Sequence, residues 1–211
     1  PETGEWVPAS VNTPILERDE LWVPEGGRAA LHTGDGATIR LDGNTALQVL
    51  RMDPGSSQFH LHQGRLYVAS NVPERTVLQF ETPDATLRAF GSATFGMWVT
   101  ERETIVSAFQ GSVLVENDGG TTRVLPGSML AVGSDGYAEL SPLPPHDDWE
   151  MWNAQRDRME YARGESYQYL PEELRVYSRG FDESGRWVYV RGYGYCWTPV
   201  AIVADWAPYR Y

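Results

Sequence analysis

Lysine is missing altogether: all 17 basic residues among the 211 are arginine. Compositional bias from a GC-rich genome accounts for this more simply than a preference for planar, bidentate pairing with carboxylates. Cysteine occurs once, at Cys196, which excludes an internal disulfide and any multi-cysteine metal or haem motif. Set between Tyr195 and Trp197, it reads as a small buried hydrophobe. No apolar run approaches the roughly 18 residues needed to cross a bilayer, so no transmembrane segment is expected in this portion. Basic stripes are absent too. A formal net charge of −12 leaves nothing to replace the counterions of a nucleic acid, which excludes that partner. The chain begins at Pro1 rather than Met, so an export signal is expected to have been removed or not shown, and a lipid anchor would not be visible in this portion.

What is present is short-period alternation. From about residue 20 to 140, apolar and polar residues alternate in pieces of five to seven, as in "ATIRL", "TALQVL", "RLYVAS", "TVLQFET", "TIVSAF" and "SVLVEN". Turn residues punctuate them at Asp42-Gly43-Asn44, Asp53-Pro54-Gly55, Pro83-Asp84 and Asp118-Gly119-Gly120. That pattern means half-buried strands, and no helix-length periodic segment interrupts it, which excludes a βαβ architecture. The expected fold class is all-β: an antiparallel, twisted sandwich or solenoid-like domain with one amphipathic helix and a small Trp-rich β appendage. "LHQGRLYV", "AFQGSVLV" and "VLPGSMLAV" each place a glycine before a strand, but Gly64, Gly111 and Gly127 are unequally spaced, so the similarity is no strict repeat.

The expected organisation is a β domain with an N-terminal extension over 1–142, a linker and helix over 143–164, and a Trp/Tyr-rich β segment over 165–211, read as truncated. "SPLPPHDD" ends the ladder, because consecutive prolines cannot continue it. Asp147 with Glu150 three residues on makes a capping-box signal, and Trp149, Trp152 and Met159 share a face for docking. Short strands are expected to resume after Gly164, with Pro199 and Pro208 at edges or turns.

Candidate chemistry is sparse. His60 and His62 in "FHLH" lie on one side of a strand at the spacing of a bidentate metal pair, but no adjacent Asp, Glu or Cys completes a set. They read as solvent-facing and remain weak metal candidates; His32 or His146 would have to approach in space. No nucleophile elbow, EF-hand alternation or phosphate loop occurs. The carboxylate pairs Asp147/Asp148 and Glu172/Glu173 sit where helices should start, so capping explains them better than acid–base work. No catalytic residue and no cofactor are expected. Eight aromatic residues crowd the stretch from Trp187 to Tyr211. Core filling is the simplest reading of these rings, with a protein-contact surface and a sugar platform as the functional ones. The candidate interaction residues are Trp187, Tyr189, Tyr193, Tyr195, Trp197, Trp206 and Tyr209.

In order along the chain, "DGATIRLDGNTALQV", "LHQGRLYV", "TPDATLRAFGSATFGMWV", "FQGSVLVE" and "LPGSMLAV" resemble the periplasmic domain of the FecR family over about residues 28–140. Ser92-Ala93-Thr94 stands where the family usually has a direct Gly-Thr. The resemblance implies an all-β bacterial envelope domain with no catalytic residues to carry over. In signalling members that domain passes information from an outer-membrane transporter to a sigma factor. Those members also carry an anti-sigma segment, a transmembrane helix and a small receptor-type module, which these 211 residues do not contain. The tail resembles an uncharacterised family of Trp-rich secreted proteins through Trp187, Tyr193-Gly194, Trp197-Thr198-Pro199 and Trp206-Ala207-Pro208-Tyr209.

The expected function is therefore a non-enzymatic, exported envelope or cell-surface module, structural or protein-binding, with a protein partner or self-association. A glycan-binding module built on the C-terminal rings and a FecR-like signalling or sensor domain are the alternatives. The expected location is periplasmic or extracellular.

Overall fold

The computed structural model describes residues 6–200 apart from 35, 54 and 162–164. The described residues fall into two compact units. One runs to Leu31 and resumes over Ile39–Leu143; the other comprises His32–Thr38 and the described residues from Pro144 onward.

Thirteen strands form a single sheet. They are β1 (Glu20–Val23), β2 (Ala29–His32), β3 (Ala37–Leu41), β4 (Thr45–Asp53), β5 (Ser56–Asn71), β6 (Val77–Glu81) and β7 (Thr86–Phe90). The rest are β8 (Ser92–Val99), β9 (Glu103–Gln110), β10 (Val113–Asn117), β11 (Gly120–Val124), β12 (Ser128–Gly133) and β13 (Ala138–Pro142). The sheet runs β11-β10-β7-β6-β5-β8-β9-β12-β13, with β3 and β4 also on β5, β1 on β4 and β2 on β3. The all-β fold read from the alternation is the fold observed.

The 16-residue β5 organises this sheet. Its first half pairs with β4 and β6, its second half with β8. Burial alternates in the first half, with Phe59 and Leu61 buried, but runs unbroken from Leu66 to Ser70 in the second, so the strand passes from one covered face to two. The change falls at Gly64, whose φ of +90° only glycine adopts without strain. A Cβ there would stand 2.5 Å from Thr45 Cα, so the strand crosses β4's start too closely for any side chain. Thr45 locks the crossing: its Oγ1 accepts from Arg65 N–H at 3.0 Å and donates to the Arg65 carbonyl at 3.2 Å.

The β5–β6 pair is parallel, with Ser56 opposite Val77 and His60 opposite Glu81, whereas an antiparallel domain was expected. Parallel neighbours need a crossover. Here residues 72–76 span at most about 20 Å, while a straight strand as long as β5 would cover about 50 Å. The strand therefore folds over at Gly64, and its own second half serves as the crossover.

The enclosed side chains are mainly aliphatic and phenylalanine, with Arg40 and several hydroxyl groups among them. Phe59 and Phe80 stack at 5.1 Å between centroids, and Phe80 meets Phe95 edge-on at 5.7 Å. Ile39, Leu47, Leu61, Leu66, Leu78 and Val106 have no exposed surface.

In the second unit, α1 (Asp148–Tyr161) starts as the capping box requires. Asp147 Oδ1 accepts from Glu150 N–H at 2.9 Å, and Glu150 Oε2 accepts from Asp147 N–H at 3.4 Å. The buried stripe is Trp149, Asn153 and Asp157, at i, i+4 and i+8, with Met159 exposed rather than docked. Trp152 instead stacks on Trp149, and the Arg156 guanidinium lies 4.3 Å over its ring.

Strands do not resume directly after α1. Glu165–Gln168 and Glu172–Tyr177 are 3₁₀ turns, and α2 (Ser178–Ser184) follows before β14 (Gly185–Val190) and β15 (Gly194–Pro199) pair as an antiparallel hairpin. Glu172 and Glu173 do begin a helical turn, as their pairing suggested, with Pro171 preceding it.

Candidate interaction surface

The hairpin is built by alternation and one tight turn. Tyr193 N–H donates to the Val190 carbonyl at 3.0 Å, and Gly192 takes a φ of +91° that most residues would resist. The register sets Trp187 opposite Trp197 and Tyr189 opposite Tyr195, so all four rings belong to one face. Tyr189 meets Tyr195 edge-on at 5.5 Å.

That face is partly covered from within its own unit. Tyr169 stacks on Tyr195 at 4.3 Å and tilts against Trp187 at 5.0 Å. Trp187 Nε1 donates to Ser166 Oγ at 2.7 Å, and Ser166 Oγ donates to Asp182 Oδ1 at 2.5 Å. The same oxygen accepts from Ser166 N–H at 2.9 Å, while Asp182 Oδ2 is buried with no hydrogen-bond partner among the described residues. Trp197 Nε1 donates to the Phe181 carbonyl at 2.9 Å, and its ring meets Phe181 edge-on at 5.3 Å. Both indoles are thus half-buried and anchored. A shallow apolar cleft of about 270 Å³ remains beside Trp197, lined by Tyr177, Gly180, Phe181 and Ser184.

The rings offered to solvent are Tyr189, Tyr195 and above all Tyr193, 85% exposed at the hairpin tip. Of the seven candidate interaction residues, the hairpin therefore brings five together, three outward and two inward. Trp206 and Tyr209 lie outside the described residues. Sequence reading missed Ser166, Tyr169 and Asp182, which position the indoles. Nothing local marks them, because they stand 16 to 26 residues from the groups they hold.

Cys196 is half-buried on the opposite face of the hairpin, its Sγ 3.8 Å from the Gly194 carbonyl. His60 and His62 do share one side of β5, with ring centroids 4.3 Å apart. Burial, then the neighbouring His62, lower the His60 pKa below its usual value, with Glu81 pulling the other way. His32 Nδ1 lies 3.1 Å from Thr38 Oγ1, and His146 Nδ1 lies 3.0 Å from Glu150 Oε2. Among the described residues, no three His, Cys, Asp or Glu side chains cluster as a metal set. No described helix is long and apolar enough to cross a membrane.

Part of this chain is similar in fold to two crystal structures. They are of a candidate anti-sigma factor from Parabacteroides distasonis, at 1.65 and 2.50 Å resolution. Each superposes with a TM-score of 0.54, at 19% and 18% identity. The alignment covers 59% of this chain and spans 59% of the length of each of those proteins. No curated protein matches the chain. The sequence match is to one family, over a stretch that ends within β10 although the sheet continues through β13. Residues 19–114, which hold β1 through β9, the bend at Gly64 and the paired core phenylalanines, match the family model described as FecR protein.

Proposed function

We propose that this chain is a non-catalytic, FecR-type relay or sensor module of a bacterial envelope, working by protein contact. The observation that carries the reading is the FecR match over residues 19–114, joined to a fold shared with a candidate anti-sigma factor. FecR resemblance implies a domain that receives a signal from one envelope protein and hands it on to another. A rigid β scaffold with an aliphatic core suits that role, since its edges and outer faces can dock partners while the interior holds them in place.

The contact surface we assign is the tip of the β14–β15 hairpin and the exposed end of its aromatic face, at Tyr189, Tyr193 and Tyr195. Large rings carrying a polar hydroxyl bind protein surfaces well, because they bury area at little cost in side-chain entropy. A glycan partner would have to use the same three tyrosines, because both described hairpin indoles already donate their N–H groups internally.

A photo-crosslinking amino acid at position 193 tests the assignment in cells. The expected result is a discrete crosslink to one envelope protein that disappears when Tyr189 and Tyr195 are both alanine. A chain that stays monomeric by light scattering, and crosslinks to nothing from position 193, would overturn it. A shift in the remaining tyrosine signals with polysaccharide alone would move the reading to the glycan alternative.

A further inference from the structure

Two of the four histidines are occupied. The rings of His32 and His146 each have a hydroxyl or carboxylate oxygen within hydrogen-bond distance. Among the described residues, no hydrogen bond engages the rings of His60 or His62, whose centroids lie 4.3 Å apart.

We propose that His60 and His62 together bind one divalent transition-metal ion of the copper, nickel or zinc class, on the outer face of the β4–β5–β6 ladder. The proposal does not depend on the relay function. Imidazole nitrogen is the donor that this class of ion prefers. Spacing of i and i+2 on a strand puts both rings on one side, and ring contact means that little further ordering is needed to bring two nitrogens to one ion. The backbone at His60 is held on both sides, while His62 lies at the irregularity where the β4–β5 register shifts. His60 is paired with Gln48 on β4 and with Glu81 on β6, so it sits on an interior strand rather than a fraying edge.

The charge around the pair favours a cation. Glu81 lies directly across from His60, and its Oε1 accepts from Gln79 Nε2 at 2.9 Å, which fixes the carboxylate there. The arginines that the register places on that face are engaged elsewhere: Arg51 on β4, opposite Gln58, pairs with Asp53, and Arg88 donates from Nε to Gln79 Oε1 at 3.0 Å and from Nη1 to Glu116 Oε2 at 2.9 Å. Two protein donors leave most of the coordination sphere open. That distinguishes the site from a closed, four-ligand structural centre and makes it an exchangeable one, whose remaining positions solvent or a further donor can fill.

The test uses the full chain, stripped of metal, titrated with Cu²⁺ against glycine as a weak competitor. Calorimetry should show one saturable ion per chain, and electron paramagnetic resonance should show coupling to two imidazole nitrogens. His60→Gln and His62→Gln should each weaken binding at least about tenfold, as losing a ligand costs no less than losing its support. The double variant should lose the two-nitrogen signal while its circular dichroism stays unchanged, and His32→Gln and His146→Gln should bind as the parent does. Absence of saturable binding, or a double variant that keeps the parent's affinity and spectrum, would overturn the proposal.

Discussion

In the β unit the buried side chains are mainly aliphatic groups and phenylalanines, supplied by strand alternation, with a few hydroxyl groups and Arg40 among them. In the described part of the C-terminal unit, the buried apolar residues from Pro144 onward are Trp149 and Leu170, and Glu150, Asn153, Asp157, Ser166 and Ser178 are buried alongside them. The first unit is held by non-directional burial, which tolerates repacking so long as volume is kept. The second depends on directional contacts: a serine bridging an indole and a carboxylate, an indole on a carbonyl, rings laid on rings. Such contacts give a unique arrangement, yet each stabilises less than a buried aromatic side chain and fails more abruptly when one partner is removed.

That contrast can be broken experimentally. The largest loss should come from Phe80→Ala, which removes the ring joining Phe59 to Phe95 and should cost about 3–5 kcal/mol in denaturant unfolding. Gly64→Ala should follow. A positive φ costs roughly 1–3 kcal/mol for a residue with a Cβ, and the collision with Thr45 adds to it. Were Gly64→Ala neutral, the fold-over of β5 would not rest on that bend.

Ser166→Ala should cost about 1–3 kcal/mol, by leaving the Trp187 N–H unpaired and stripping Asp182 of a donor. Fluorine-labelled tryptophan spectra should show the Trp187 resonance moving while those of Trp22 and Trp98 in the β unit stay in place. A loss as large as that of Phe80→Ala would erase the distinction between the two kinds of core.

A smaller effect attaches to His60. Its folded pKa is lowered below 6.5, so between the folded value and 6.5 the unfolded chain binds more protons than the folded one. Stability should be fully present above about pH 6.5 and should fall as pH drops through that window. With chelator present, the slope of melting temperature against pH should flatten in His60→Gln. Tyr193→Ala should be smallest of all on stability, within about 0.5 kcal/mol, while abolishing the contact assigned to the hairpin tip.

Much of the fold was legible because strand alternation is a local signal. "ATIRL", "TVLQF" and "SVLVE" each carry their inward face in their own spacing, and Asp147 with Glu150 marks the helix start in four residues. The FecR resemblance was legible for a related reason, since its glycines and turn residues sit at fixed offsets along the chain. The β5–β6 pairing was not, because nothing in either segment says whether its neighbour arrives parallel or antiparallel. The helical turns over 165–184 were obscured by aromatic residues that suit strands as well. Met159 looked apolar enough to dock, but burial went to Asn153 and Asp157 on the neighbouring stripe of α1.

The amino-acid sequence alone determined the β class, the capped helix, the lack of an internal disulfide within these residues, and the concentration of rings in the last 25 positions. These follow from composition and from periodicities of two to four residues, which act whatever lies elsewhere. Only the tertiary structure decided that β5 folds over itself, that Trp187 and Trp197 turn inward while Tyr193 faces water, and that the rings of His60 and His62 meet. Those outcomes depend on pairings across the sheet and on partners such as Ser166 and Glu81, brought near by the fold rather than by sequence neighbourhood. Contacts of that kind are set by which arrangement buries and satisfies the whole chain, so no single segment can announce them.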